Sequence, residues 1–174
     1  MPGTETMTAE AILEQVNKKF GFIPNVLKEL SASPPALHVY LSGQDALAKG
    51  VLTAKEQQVV QLTVAAYNDC HYCQAAHQFL GKTVGINPED LEAIREGKNP
   101  GDAAAALVHR VTVVVLEKRG WVDQEQVTQW EGEGLARQKL YEIIAYIGLK
   151  TITNYVNHIA QTPVDEVFKT LEKE

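Results

Sequence analysis

A chain of 174 residues, 45% of them hydrophobic and 22% charged, is long enough for one domain with a real core. A net charge of −6 and the lack of a basic cluster exclude a nucleic-acid footprint. No apolar run approaches the ~20 residues of a membrane span, and "MPGTETMTAE" has neither the basic nor the apolar region of a secretory signal, so a cytoplasmic protein is expected.

The punctuation of the chain predicts a string of helices. Residues 8–21 are the first, with Thr8 as N-cap and Gly21 as stop. A short helix follows Pro24 and breaks before Pro34. The next covers 35–50, with Lys49 in its last turn, where a cation suits the helix dipole. Residues 52–69 open on Thr53 with Glu56 three positions on, a capping box. Val59, Leu62, Val64 and Ala66 mix their period, so this helix is expected to be deeply buried. Asn68-Asp69 breaks the pattern, and Asp69 is the expected N-cap of a helix over 70–85. A short capped helix covers 87–97.

Residues 102–120 contain "VTVVVL", a β-branched run that would suit a strand. Their length, Asp102 ahead of four alanines, and the ending Lys118-Arg119-Gly120 favour a helix. A short polar helix over 122–134 precedes a long one over 136–162 that is apolar over most of its circumference. Such a helix needs neighbours on several sides, so it is central or lies at a subunit interface. No strand-like segments alternate, no repeat or linker interrupts the chain, and only the ends read as loose. The fold class is all-α, a single helical bundle over 1–174.

Both cysteines fall within "NDCHYCQAAH", residues 68–77. At about 100° per residue, Cys70, Cys73 and His77 share a ~60° sector of one helix face, while His71 and Tyr72 point elsewhere. A zinc site needs further ligands, and His38, His109 and His158 are scattered without ligand spacing, so no metal is expected. A c-type haem needs histidine directly after the second cysteine, where Gln74 stands. A thioredoxin-like fold would need strands. The plainer alternative is two buried small residues at accidental spacing.

The redox reading has a mechanism. Cys70 follows the expected N-cap, so the helix dipole would lower its pKa. Cys73 lies one turn further in, and His77 one turn beyond it can accept or return a proton. A dithiol beside a base can reduce a peroxide through a sulfenic acid, or exchange disulfides with a partner. No cofactor is required.

Residues 52–97, with "CHYCQAAH" at their centre, resemble the core of the carboxymuconolactone decarboxylase-like superfamily, in its alkylhydroperoxidase D-like, peroxidase-related branch. "FGFIPNVLKELSASPPALHVYL" and "NYVNHIAQTPVD" resemble that branch's flanking segments. The resemblance implies an all-helical fold, assembly into trimers or hexamers, a small hydroperoxide as substrate and a dithiol protein or small thiol as electron donor. It also implies that Cys73 attacks peroxide and Cys70 resolves it. On that basis Cys70 is expected to be the exposed exchange cysteine, and Cys73 to lie in a drier pocket beside His77.

Two departures from the family pattern stand out. Gln58 occupies the place of the proton-relay glutamate; an amide can orient a water but cannot take a proton. Glu56 lies about 200° round the same helix and reads as half of the capping box. Tyr72 stands where the founding enzyme has histidine; it can donate to a peroxide oxygen or simply pack. His71 reads as a solvated surface residue, His158 as a buried satisfied one, and Trp121 and Trp130 as packing or interface residues. The expected function is a thiol peroxidase or disulfide reductase with an antioxidant role. The alternatives are a non-catalytic redox sensor and a decarboxylase-type lyase, against which the C-x-x-C pair argues.

Overall fold

The structure, a computed structural model, describes residues 8–171, so the looseness expected of the two ends lies outside it. Among the described residues the chain forms α-helices and one closing 3-10 helix, and no strand. They are α1 (Ala9–Phe20), α2 (Asn25–Leu30), α3 (Pro34–Leu47), α4 (Ala54–Tyr67), α5 (His71–Thr83), α6 (Pro88–Arg95), α7 (Ala103–Glu117), α8 (Gln124–Gly132), α9 (Arg137–Ala160) and the 3-10 segment Glu166–Leu171. The all-α class is as the sequence implies.

Local chemistry explains most of the boundaries. Thr8, Asn87, Asp102 and Asp123 each accept a backbone N–H with the side chain at the start of a helix. Thr53 and Glu56 form the full capping box. The β-branched run in α7 is helical because Val108, Val111 and Val115, at helical spacing, are all buried against α4.

One cap differs from expectation. Asp69 does not cap α5; it sits at φ 52° and closes α4. Its N–H bonds to the Ala66 carbonyl and the Cys70 N–H to the Ala65 carbonyl, the pair of bonds of a Schellman motif. Aspartate tolerates the left-handed conformation that this turn requires. With Asp69 used for the reversal, Cys70 becomes the N-cap of α5, without a side-chain cap bond.

α4 is the axis of the bundle. Its residues 59–65 are all buried, and it packs against α5, α6, α7 and α9. α9 crosses α2, α3, α4, α5 and α7. The core falls into two apolar clusters. One joins α4, α6, α7, α8 and the first half of α9; the other joins α1, α2, α3, α5 and Phe168 of the 3-10 segment. Trp130 packs in the first cluster, whereas Trp121 is 87% exposed. The second cluster holds both cysteines.

Candidate redox site

Cys70 and Cys73 are free thiols at the start of α5, 1% and 2% exposed. His77, also buried, lies one turn further along the same helix. The sector predicted from the spacing therefore faces the interior. The sulfurs meet α9, and the imidazole meets α4.

On the α9 side, Asn157 Nδ2 donates to Cys73 Sγ at 3.2 Å and reaches Cys70 Sγ at 3.8 Å. Thr153 Oγ1 stands 4.0 Å from Cys73 Sγ and gives its own proton to the Lys150 carbonyl at 3.1 Å. Asn154 Oδ1 accepts from Asn68 Nδ2 at 2.8 Å. Asn154 Nδ2 and Asn157 Oδ1 are buried with no hydrogen-bond partner. Lys150, 2% exposed, faces the sulfurs and His77 from the same helix. Among the described residues it makes no ion pair with a carboxylate.

This surrounding separates the two thiols. Cys73 is held well below the ordinary thiol value. The Cys70 S–H is the main cause, burial opposes it, and the Lys150 charge and the Asn157 amide add to it. Cys70 moves up, first because it serves Cys73 and then because it is buried. Cys70 is not the exposed thiol that was expected, and its surroundings favour the proton there rather than on Cys73. A helix terminus contributes only about 0.3–1 kcal/mol, and Cys73 has a buried cation and several donors instead.

His77 Nδ1–H donates to Gln58 Oε1 at 2.9 Å. The Gln58 amide therefore fixes the tautomer, leaving the lone pair on Nε2. Burial, helped by the Lys150 charge, keeps the imidazole neutral.

The other candidates lie apart. Glu56 is bound to Lys139 at 2.5 Å and to the Thr53 N–H. Burial pushes its carboxyl up, but those partners bring it below the usual value. The Tyr72 hydroxyl donates to Asp165 Oδ2 at 2.5 Å and accepts from the Val26 N–H at 3.4 Å. It fastens the C-terminal segment to the α2 start. His71 is exposed, as expected. His158 is not buried: it lies exposed at the end of α9, stacked on Tyr155. Among the described residues no group of three or more His, Cys, Asp and Glu could hold a metal ion.

Sequence reasoning missed Lys150, Thr153, Asn154 and Asn157. Their spacing of i, i+3, i+4 and i+7 is one helix face, a polar stripe within a helix read as apolar. A surface groove of about 570 Å³ runs along the far side of α5, between Gln74, Gln78, Arg95 and Phe168, and neither sulfur lines it.

Residues 34–115 match the Carboxymuconolactone decarboxylase family. The resemblance read over 52–97 falls inside that span. No curated protein matches the chain. The fold is that of the alkylhydroperoxidase AhpD core of an uncharacterized peroxidase-related protein from Ralstonia eutropha JMP134. The TM-score is 0.81 at 21% identity, over 92% of this chain and 87% of that one. A peroxidase-related protein from Silicibacter sp. TM1040 superimposes with a TM-score of 0.79 at 15% identity, covering 98% and 97% of the two chains. The debrominase Bmp8, in complex with 2,3,4-tribromopyrrole, has a TM-score of 0.73 at 13% identity, covering 99% and 94%.

Proposed function

We propose that this protein, whose residues 34–115 match the Carboxymuconolactone decarboxylase family, is a two-cysteine thiol peroxidase. The observation that carries the reading is a pair of free sulfurs under one amide: Asn157 Nδ2 lies 3.2 Å from Cys73 Sγ and 3.8 Å from Cys70 Sγ. Those surroundings favour the thiolate on Cys73 and the proton on Cys70.

The Cys73 thiolate attacks the terminal oxygen of a small hydroperoxide. The O–O bond breaks, Cys73 becomes a sulfenic acid, and the alkoxide leaves with a proton from the site. The Cys70 sulfur then displaces the hydroxyl of the sulfenic acid. A disulfide forms, and the Cys70 proton leaves in the water released. A separate dithiol donor reduces the disulfide by exchange. His77, neutral and pinned by Gln58, offers Nε2 as a proton acceptor beside the pair. The unpartnered Asn154 Nδ2 and Asn157 Oδ1 are one donor and one acceptor for the bound peroxide.

The protein acts as a homo-oligomer, a trimer or hexamer, in the cytoplasm. Support for assembly comes from the outer face of α9, where Tyr155 is 56% and Ile159 87% exposed. No described helix is long and apolar enough to cross a membrane.

The test is peroxide consumption with a dithiol reductant. Cys73→Ser abolishes it. Cys70→Ser stops at a sulfenic acid on Cys73 that dimedone traps. Full turnover by Cys73→Ser would falsify the reading. Gln58, an amide that cannot take a proton where the family pattern has a glutamate, favours a second one, a redox sensor. It predicts a reversible disulfide with no catalytic turnover in the parent protein.

A further inference from the structure

Lysine is rarely buried without a carboxylate, because taking an ammonium out of water costs more than its stem gains. Lys150 is buried in that way near the middle of the bundle. The groups facing it can be counted by helix. α5 supplies Cys70, Cys73 and His77; α3 supplies the Tyr40 hydroxyl. The carboxylate of α4, Glu56, is taken by Lys139. His109 of α7 is bonded to Thr63. Glu142, on α9 itself, accepts the Val51 and Leu52 N–H groups. Lys28 and Glu29 of α2 are exposed. Among the described residues, the only negative charge that balances the ammonium is therefore sulfur.

We propose that Lys150 is the proton store of the redox centre, an ammonium while Cys73 is a thiolate and an amine once the disulfide has formed. The proposal rests on the peroxidase reading for the identity of the proton's acceptor. As Cys73 attacks the peroxide, its charge moves onto the departing alkoxide, and the Lys150 proton follows it to give the alcohol. The sulfenic acid and then the disulfide are neutral, so burial favours the free amine. In the reductive half the donor dithiol supplies two electrons and two protons. One proton stays on the Cys70 sulfur, one returns to Lys150, and Cys73 leaves as the thiolate. The buried centre keeps zero net charge at both ends of the cycle. A fixed ammonium would instead stand unpaired in the oxidised protein.

The balance also accounts for His77. An imidazole beside a permanent buried cation cannot charge. A lysine that empties on oxidation removes that obstacle only in the disulfide state.

The experiment follows the Lys150 Cε resonance of the full-length protein by NMR, assigned with Lys150→Arg. The reduced protein is compared with protein oxidised by diamide, which makes the disulfide without peroxide. At pH 8 the resonance is expected at the ammonium position in the reduced protein and at the amine position in the oxidised one. An ammonium position in both states overturns the proposal. A second measurement needs no variant. Oxidation by cumene hydroperoxide in weak buffer, with the thiolate followed at 240 nm, is expected to take up no net proton per disulfide. Uptake of one proton per disulfide means that Lys150 stays charged. Absence of peroxide turnover sinks the peroxidase reading alone, because the diamide comparison still decides the fate of Lys150.

Discussion

The α4–α7 seam and the face of α5 turned to α4 and α9 each bury a histidine, and the two histidines sit in different chemistry. His109 gives its Nδ1–H to Thr63 Oγ1 at 2.9 Å, and that hydroxyl donates to the Val59 carbonyl at 2.7 Å. The chain of bonds closes on backbone, and burial alone draws His109 towards the neutral form. His77 is drawn the same way by burial, but Lys150 adds to it. Two thiols share its helix face. What separates the seams is one buried cation and the sulfur charge that answers it. A buried imidazole alone is packing; beside a buried cation and a dithiol it is a candidate for proton transfer.

The largest effect is expected where that answer is removed. Asn157→Leu deletes the amide that reaches Cys73 Sγ at 3.2 Å and Cys70 Sγ at 3.8 Å. A hydrogen bond to a charged group contributes about 1.5–3 kcal/mol, so the Cys73 titration should rise by about one to two pH units. Thiolate absorbance at 240 nm against pH reads it directly. The wild-type thiolate persists on the acid side of an ordinary thiol; the variant loses that acid-side thiolate. An unchanged profile would mean that the amide only fills space.

Next comes the counterpart in the other seam. Thr63→Val keeps the shape of the side chain but leaves His109 Nδ1 without its acceptor. The expected cost is about 1–3 kcal/mol of stability, read by urea unfolding. The thiolate titration should not move. If it did, the two seams would be coupled and the contrast between them would fail.

Gln58→Glu sharpens the role of the neutral partner. A carboxylate accepting the same His77 bond raises the imidazole's affinity for a proton. In the wild type the folded-state His77 binds its proton more weakly than in the unfolded chain. Stability is then lost as pH falls through about 6.5, the ordinary histidine value. The variant should lose less between pH 8 and pH 5. The Cys73 contribution has the same sign in both chains and cancels in the comparison. Equal losses would show that Gln58 does not govern His77.

Much of this was legible in the chain. The caps at Thr53 and Asp102, the C-x-x-C face and His77 follow from spacing alone, because helix geometry is local. The α9 contribution was hidden for a physical reason. Lys150, Asn154 and Asn157 form a polar stripe on a helix read as apolar, and only the packing of α5 on α9 shows what that stripe faces. Asp69 misled because a cap-forming residue serves a helix start and a left-handed stop equally well. His158 misled because it stands with Tyr155 and Ile159 on the outer face of α9, although the sequence around it is apolar.

The smallest effect on chemistry is expected at Tyr72, next to Cys73 in sequence. Its hydroxyl is committed to Asp165 Oδ2 at 2.5 Å, and Asp165 also accepts the Asn25 N–H at 3.1 Å. Its ring meets Phe168 edge-on, with centroids 6.2 Å apart. Tyr72→Phe keeps that ring contact and removes one charge-assisted bond, so stability should fall by about 1–2 kcal/mol. The peroxide rate should stay within about twofold, since a donor aimed at Asp165 has no proton to give a substrate near the sulfurs. Unfolding and turnover measured on the same preparation separate the two roles. A drop of about tenfold or more in turnover, with stability unchanged, would make Tyr72 a donor to the peroxide and move the site's boundary from the α5–α9 seam towards the C-terminal segment.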